Sequence, residues 1–137
     1  MKLAKKIVFL GTGGTIAGTA ASAGDNIGYI AAQVGIQDLL ATVPSLDGLT
    51  VESEQVAQLD SKDMEFGVWA ALLGRVAHWL ADENVQGVVI THGTDTLEET
   101  AFFLQSVLRP AKPVVLTCAM RPATALVPDG LQNLMDA

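Results

Sequence analysis

A chain of 137 residues has room for one domain, and with 50% hydrophobic and 17% charged residues it can build a packed core, which excludes a disordered tail. Its 8 Lys+Arg against 15 Asp+Glu leave a net charge of −7, and the only cationic cluster is Lys2, Lys5 and Lys6. That balance argues against nucleic acid and against an anionic membrane surface, while the single cysteine, Cys118, excludes an internal disulfide and a multi-cysteine metal site.

The apolar runs Ile7–Leu10, Val88–Ile90 and Val114–Leu116 are far shorter than the about 20 residues of a spanning helix, and have the length of buried strands. The basic start, Met1–Lys6, faintly resembles the opening of a signal peptide. The apolar stretch behind it breaks into Gly11–Gly14 with no cleavage region, so a mature cytoplasmic chain is expected, or a periplasmic one if a leader was removed beforehand. Lys6–Leu10 reads as a first strand buried on both faces. Gly11–Gly28, full of Gly, Ala, Ser and Thr, is expected to be a largely mobile loop that adds nothing to the core. Gly35–Ala41 reads as a short helix stopped near Pro44. Leu49–Leu59 reads as one or two strands, with Asp60 or Ser61 capping the next helix. That helix should run from about Met64 to Asp82, because Val68, Leu72, Val76 and Leu80 recur every fourth residue. Trp69, Leu73 and Trp79 widen its apolar face, with Arg75, His78 and Asp82 opposite. Gln86–Thr91 reads as a strand, and Thr96–Leu108 as a helix burying Leu97, Ala101, Leu104 and Leu108. Pro113–Cys118 reads as a strand, and Pro128-Asp-Gly opens a helix at about Leu131.

Strands separated by amphipathic helices imply an α/β fold: βαβ units and a mostly parallel sheet with flanking helices. Ligands of such sheets bind outside the carboxyl ends of the strands. Those ends carry Gly11–Thr15, Asp60–Asp63, Thr91–Asp95 and Ala119–Pro122.

Gly11-Thr-Gly-Gly-Thr15-Ile-Ala-Gly18 could be a dinucleotide-binding turn, but Ile16 stands where that fingerprint needs a glycine or another small residue. No Gly-Lys-Ser/Thr follows, so it is not a P-loop. Its glycines do allow close backbone approach around Thr15, whose hydroxyl is then a candidate nucleophile beside free backbone N–H groups. In Thr91-His-Gly-Thr-Asp-Thr-Leu-Glu-Glu99, the run Thr96–Glu99 reads as a capping box, and Asp95, Glu98 and Glu99 suit the positive end of a helix. His92-Gly-Thr94-Asp95 lies ahead of the box, where capping does not require it. Asp95 could hold a ligand ammonium, and Thr94 a water or a second nucleophilic hydroxyl. Asp60-Ser61-Lys62-Asp63 reads equally as a cap or as a carboxylate site. Ser61 and helix amides on one side, with Asp95 on the other, would suit an amino-acid zwitterion. His78 reads as a surface residue, His92 as a structural one and Cys118 as an inert thiol. Tyr29, the only tyrosine, is either packing or a group at the hinge of a lid that orients a hydroxyl.

Thr12-Gly-Gly-Thr15-Ile-Ala-Gly18, Tyr29, Asp60-Ser61-Lys62-Asp63-Met64, Ile90–Thr100 and Ala119-Met-Arg-Pro122 with Asp129-Gly130 together resemble the bacterial-type L-asparaginase/glutaminase family, in order and over essentially the whole chain. The resemblance implies a Rossmann-like N-terminal domain of an asparaginase. Residues 1–137 would form this catalytic α/β domain incompletely, with a flexible lid over about 11–30 and no C-terminal domain. It implies hydrolysis of the L-asparagine side-chain amide to L-aspartate and ammonia, with some glutaminase activity. Thr15 would be the nucleophile that forms a β-acyl-enzyme, and Tyr29 would close over it. Thr94 would belong to a second threonine-centred group whose lysine lies outside this chain. Asp95 would hold the substrate α-ammonium, Ser61 the α-carboxylate, and the Ala119 backbone would contact the leaving amide. The family needs no metal and no organic cofactor, and commonly assembles as a homotetramer, a dimer of dimers. Lys62 stands where many relatives carry glutamine or glutamate. It brings a cation to the α-carboxylate end, which bears on the asparagine-to-glutamine preference. A chain this short for the family, stopping inside a helix, is expected to be a fragment, inactive and poorly stable without the rest. Two rival readings are a catalytically dead amino-acid-binding domain that keeps Asp95 and Ser61, and a nucleotide-binding α/β domain.

Overall fold

The β-branched apolar runs become the centre of a sheet in the computed structural model, which describes residues 5–43, 46 and 49–137. Its strands are β1 (Lys6–Gly13), β2 (Thr50–Leu59), β3 (Val85–Thr91) and β4 (Val114–Thr117). All three pairings are parallel and the order is β2-β1-β3-β4. The helices are α1 (Ile36–Ala41), α2 (Phe66–Ala81), α3 (Leu97–Leu108) and α4 (Gly130–Asp136). This is the α/β architecture expected from alternating strands and amphipathic helices. Lys2 and Pro44 lie outside the described residues.

Successive residues of a strand face opposite sides of the sheet, and the two faces of β1 and β3 fill two separate cores. Val8, Leu10, Val88 and Ile90 pack with Leu72 and Val76 of α2 and Leu104 of α3. Phe9 and Val89 pack with Ile36, Leu39 and Leu134 from α1 and α4. In α2 only Leu72 and Val76 of the four-residue stripe are fully buried. Trp79 is instead half-buried, donating its indole N–H to Glu54 Oε2 at 3.0 Å, with the Lys6 ammonium over its ring.

Three local expectations are corrected. Gly11–Gly28 is not idle in the core: β1 extends to Gly13, a 3₁₀ turn follows at Thr15–Ala17, and Ile16 and Ala17 join the α1/α4 core. Packing of Ile16 and Ala17 behind the glycine turn overrides the loop-like composition. Neither Asp60 nor Ser61 caps α2. Asp60 caps a separate 3₁₀ turn, Ser61–Asp63, and Glu65 precedes α2 without a side-chain cap. Thr96 precedes α3 but makes no capping bond to it. Its hydroxyl donates to the Ser61 carbonyl at 2.9 Å, so a tertiary partner displaces the local one. The buried stripe of α3 also includes a polar residue, Thr100.

Candidate active site

The chain leaves β1 for β2 on one side and later returns to place β3 on the other. The crevice where strand order reverses therefore falls at the carboxyl ends of β1 and β3. Thr12 ties these ends together, donating its buried hydroxyl to the Thr91 carbonyl at 2.8 Å. Beyond them the backbones meet directly. Gly14, at φ +79°, lies so close to Gly93 that a Cβ would collide with the Gly93 nitrogen and Cα. A Cβ on Gly93 would come within 2.7 Å of the Ser61 Cβ. Absence of side chains at these two glycines is thus what brings the Thr15, Thr94–Asp95 and Ser61 segments side by side.

Thr15 opens the 3₁₀ turn and is 8% exposed. Its Oγ1 lies 2.8 Å from the Tyr29 hydroxyl. Sequence distance is closed by a returning loop. Thr19 and Ile30 exchange backbone hydrogen bonds of 2.9 and 2.8 Å, and the amides of Gln33 and Val34 donate to the Ala17 carbonyl. At the tip, Asp25 Oδ1 accepts from the amides of Ile27 and Gly28. The loop is also stitched to the segment after β4: Ala123 N donates to Gly18 O, Ala20 N to Thr124 Oγ1 and Leu126 N to Ala23 O.

Ser61 is buried, and its Oγ accepts the Asp95 amide at 3.1 Å. A hydroxyl used as an acceptor keeps its own proton to donate. Asp95 and Thr94 are exposed at the mouth of the crevice. Lys62 is exposed too, with Nζ 2.6 Å from Asp60 Oδ2 and 3.4 Å from Asp63 Oδ2. The Lys62 hydrogen bond holds the Asp60 carboxyl below its usual range, and Asp60 in turn raises the ammonium. Ser61 and Asp95 are thus brought into direct contact, as are Thr15 and Tyr29. The two pairs are joined through Gly14 and Gly93.

Ala119, 1% exposed, packs in the core that contains Ile16. The turn that carries it is held by Asp129, whose carboxylate accepts the amides of Met120 at 2.8 Å and Arg121 at 2.9 Å. Partial burial opposes the Asp129 charge, but those amides outweigh it and the carboxyl sits below its ordinary value. Gly130 abuts Ile16.

His92 is fully buried behind the site. Its Nδ1 is 2.8 Å from the Gly93 carbonyl and its Nε2 2.9 Å from Thr100 Oγ1, which also accepts the Trp69 indole N–H at 2.8 Å. A carbonyl only accepts, so Nδ1 carries the proton and Thr100 donates to Nε2. Burial lowers the pKa of the ring. This fits a structural histidine. Burial likewise raises the Cys118 thiol, the opposite of an activated nucleophile. No group of three or more metal-ligating side chains occurs among the described residues. Sequence reasoning assigned no function to Thr12, Gly93, Thr100 or Asp129. The hydroxyl and carboxylate contacts of these residues all span elements, and although all four lie within the singled-out motifs, the sequence holds no sign of those partners.

A family model described as "Asparaginase, N-terminal" matches residues 6–137. A glutaminase-asparaginase of Pseudomonas fluorescens biotype A is 48% identical over 132 residues, covering 96% of this chain and 36% of the relative. L-asparaginase 2 of Escherichia coli strain K12 is 44% identical over 132 residues, again 96% of this chain and 37% of the relative. The crystal structure of a probable cytoplasmic L-asparaginase from Campylobacter jejuni superposes with a TM-score of 0.93 at 46% identity, covering 97% of this chain and 41% of that one. The chain therefore spans well under half the length of the relatives it matches.

Proposed function

The chain belongs to the asparaginase family, and we propose that it is the N-terminal α/β portion, including the nucleophile, of an enzyme that hydrolyses the side-chain amide of L-asparagine, with some activity on L-glutamine. The observation that carries this reading is the 2.8 Å contact between a buried threonine hydroxyl and the chain's only tyrosine. An alcohol is a poor nucleophile until a neighbour orients it and takes up its proton. Tyr29 is placed to do so for Thr15. The Thr15 oxygen attacks the carboxamide carbon, its proton passes by way of the Tyr29 hydroxyl to the amide nitrogen, the C–N bond breaks to release ammonia, and water then cleaves the β-acyl ester to give aspartate and restore the Thr15 hydroxyl.

Binding follows from the neighbouring pair. The Asp95 carboxylate takes the substrate α-ammonium, and the free proton of Ser61 goes to the α-carboxylate. Holding both backbone charges fixes the side-chain amide relative to Thr15, and orientation of that kind supplies much of the rate. Lys62 adds positive charge at the carboxylate end, moderated by Asp60 and Asp63. Thr94, beside Asp95, belongs to a second hydroxyl group that a residue outside this chain completes. The Ala119 backbone faces the leaving amide. The chemistry uses no metal or organic cofactor. Assembly as a dimer of dimers and a cytoplasmic location belong to the same reading, the location on the description of the Campylobacter jejuni relative.

The test is ammonia release from asparagine, and separately from glutamine, by the full-length polypeptide and its Thr15→Ala form. Loss of about a thousandfold or more is expected for Thr15→Ala. Equal rates from the two proteins would end the assignment.

A further inference from the structure

We propose that Asp129 is a positioning residue for this hydrolysis: its carboxylate locks the Ala119–Met120 peptide so that the Ala119 carbonyl is held toward the leaving amide. The inference rests on the amidohydrolase reading above and adds a residue to which that reading gave no role.

A trans peptide is planar, with its C=O and N–H pointing in opposite directions. The Met120 N–H points at Asp129 Oδ2, 2.8 Å away. The carbonyl of the same peptide, which belongs to Ala119, must therefore point away from Asp129. Arg121 N–H on Oδ1 at 2.9 Å removes the remaining freedom of the turn. Neighbouring carbonyls are already occupied, that of Thr117 by the His92 amide and that of Cys118 by Asn133 Nδ2. The Ala119 carbonyl accepts no hydrogen bond among the described residues. It is the first carbonyl after β4 that is left without a donor.

The ordinary explanation for an aspartate at this place is a helix cap. Asp129 does precede α4, but it makes no side-chain cap to that helix. Both of its oxygens go to the turn after β4. The next residue couples the clamp to the nucleophile's turn: a Cβ on Gly130 would come within 2.7 Å of Ile16 Cγ1 and 3.5 Å of the Ala119 Cβ. A carboxamide has N–H donors that a fixed carbonyl can hold as the nitrogen pyramidalises and leaves. An ester leaving oxygen has none, and gains nothing from that carbonyl.

This difference supplies the experiment. Full-length wild type, Asp129→Ala and Asp129→Asn are assayed for kcat and KM on L-asparagine and on the β-methyl ester of L-aspartate. For Asp129→Ala, kcat on asparagine should fall on the order of ten- to a hundredfold, with KM and ester turnover changed by less than about threefold. Asp129→Asn keeps one acceptor and should lie between, and it carries the comparison if the alanine form does not fold. An unchanged amide-to-ester ratio in the variant, whether both rates hold or both fall, overturns the inference. Thr15→Ala in the same assay separates the two failures: if it remains active, the amidohydrolase reading fails; if it is dead while the Asp129 variants keep the wild-type ratio, only the role of Asp129 fails.

Discussion

Thr15 and Tyr29 are fourteen positions apart, and nothing in their sequence spacing requires a contact. The loop that returns Tyr29 does so through backbone bonds between Thr19 and Ile30 and from Gln33 and Val34 to Ala17. Removing only the phenol oxygen tests the contact. Tyr29→Phe should lower kcat on asparagine on the order of a hundredfold while leaving KM within a few-fold, as steady-state kinetics of the full-length polypeptide would show. His92 makes a different prediction. In the unfolded chain its ring takes a proton near the ordinary 6.5, whereas burial delays this to lower pH in the fold. The unfolded state thus binds the extra proton in that window, and stability falls as pH drops below about 6.5. Thermal melts from about pH 7 down to pH 5 should show a declining midpoint that flattens in His92→Gln. Asp60 and Asp129 do not confuse this, because their depressed carboxyls lose their contribution only below the ordinary 3.8.

Elements are legible in the sequence where periodicity and packing agree. The stripe of α2 and the alternating faces of β1 and β3 are of this kind, because a 3.6- or 2-residue period reports which side of an element is buried. Helix starts are less legible. Thr96-Leu-Glu-Glu99 has the composition of a capping box, yet its hydroxyl turns to Ser61, thirty-five residues away in sequence. Asp60 caps a short turn instead of α2 for a similar reason: the chain must first fold back to bring Ser61 against Gly93. The glycines of Gly11–Gly14 are plain in the sequence, but their use is set by partners. Gly14→Ala combines a left-handed φ with a backbone collision, and should destabilise the domain by about 2 kcal/mol or more. Chemical denaturation against wild type measures this.

Across the whole molecule, the α/β class and parallel sheet were legible because strand and helix signals alternate without interruption. The surface keeps apolar groups open to solvent, among them Phe66 at 83% and Phe102 at 76% exposure. A cleft lined by the half-buried Ile7 and Val115 and the exposed Met135 lies over the buried Phe9, Val89 and Leu134. Under the proposed function, residues 1–137 made as a separate chain should release no ammonia from asparagine above the Thr15→Ala background, and should bind a hydrophobic dye more strongly than the full-length polypeptide. Comparable turnover by both chains would refute this.

Residue types and local periods determined the parallel α/β plan, the four polar strand ends and the identity of the hydroxyls and carboxylates gathered there. All of these are signalled by residue patterns that span only a few positions. Which of those groups touch was decided by tertiary structure alone. Tyr29 on Thr15, Asp95 on Ser61, Thr96 on Ser61 and Asp129 on the turn after Ala119 are contacts between segments that the order β2-β1-β3-β4 carries to one edge. Hydrogen bonds of that kind depend on distances between elements, and a one-dimensional pattern holds no record of those distances.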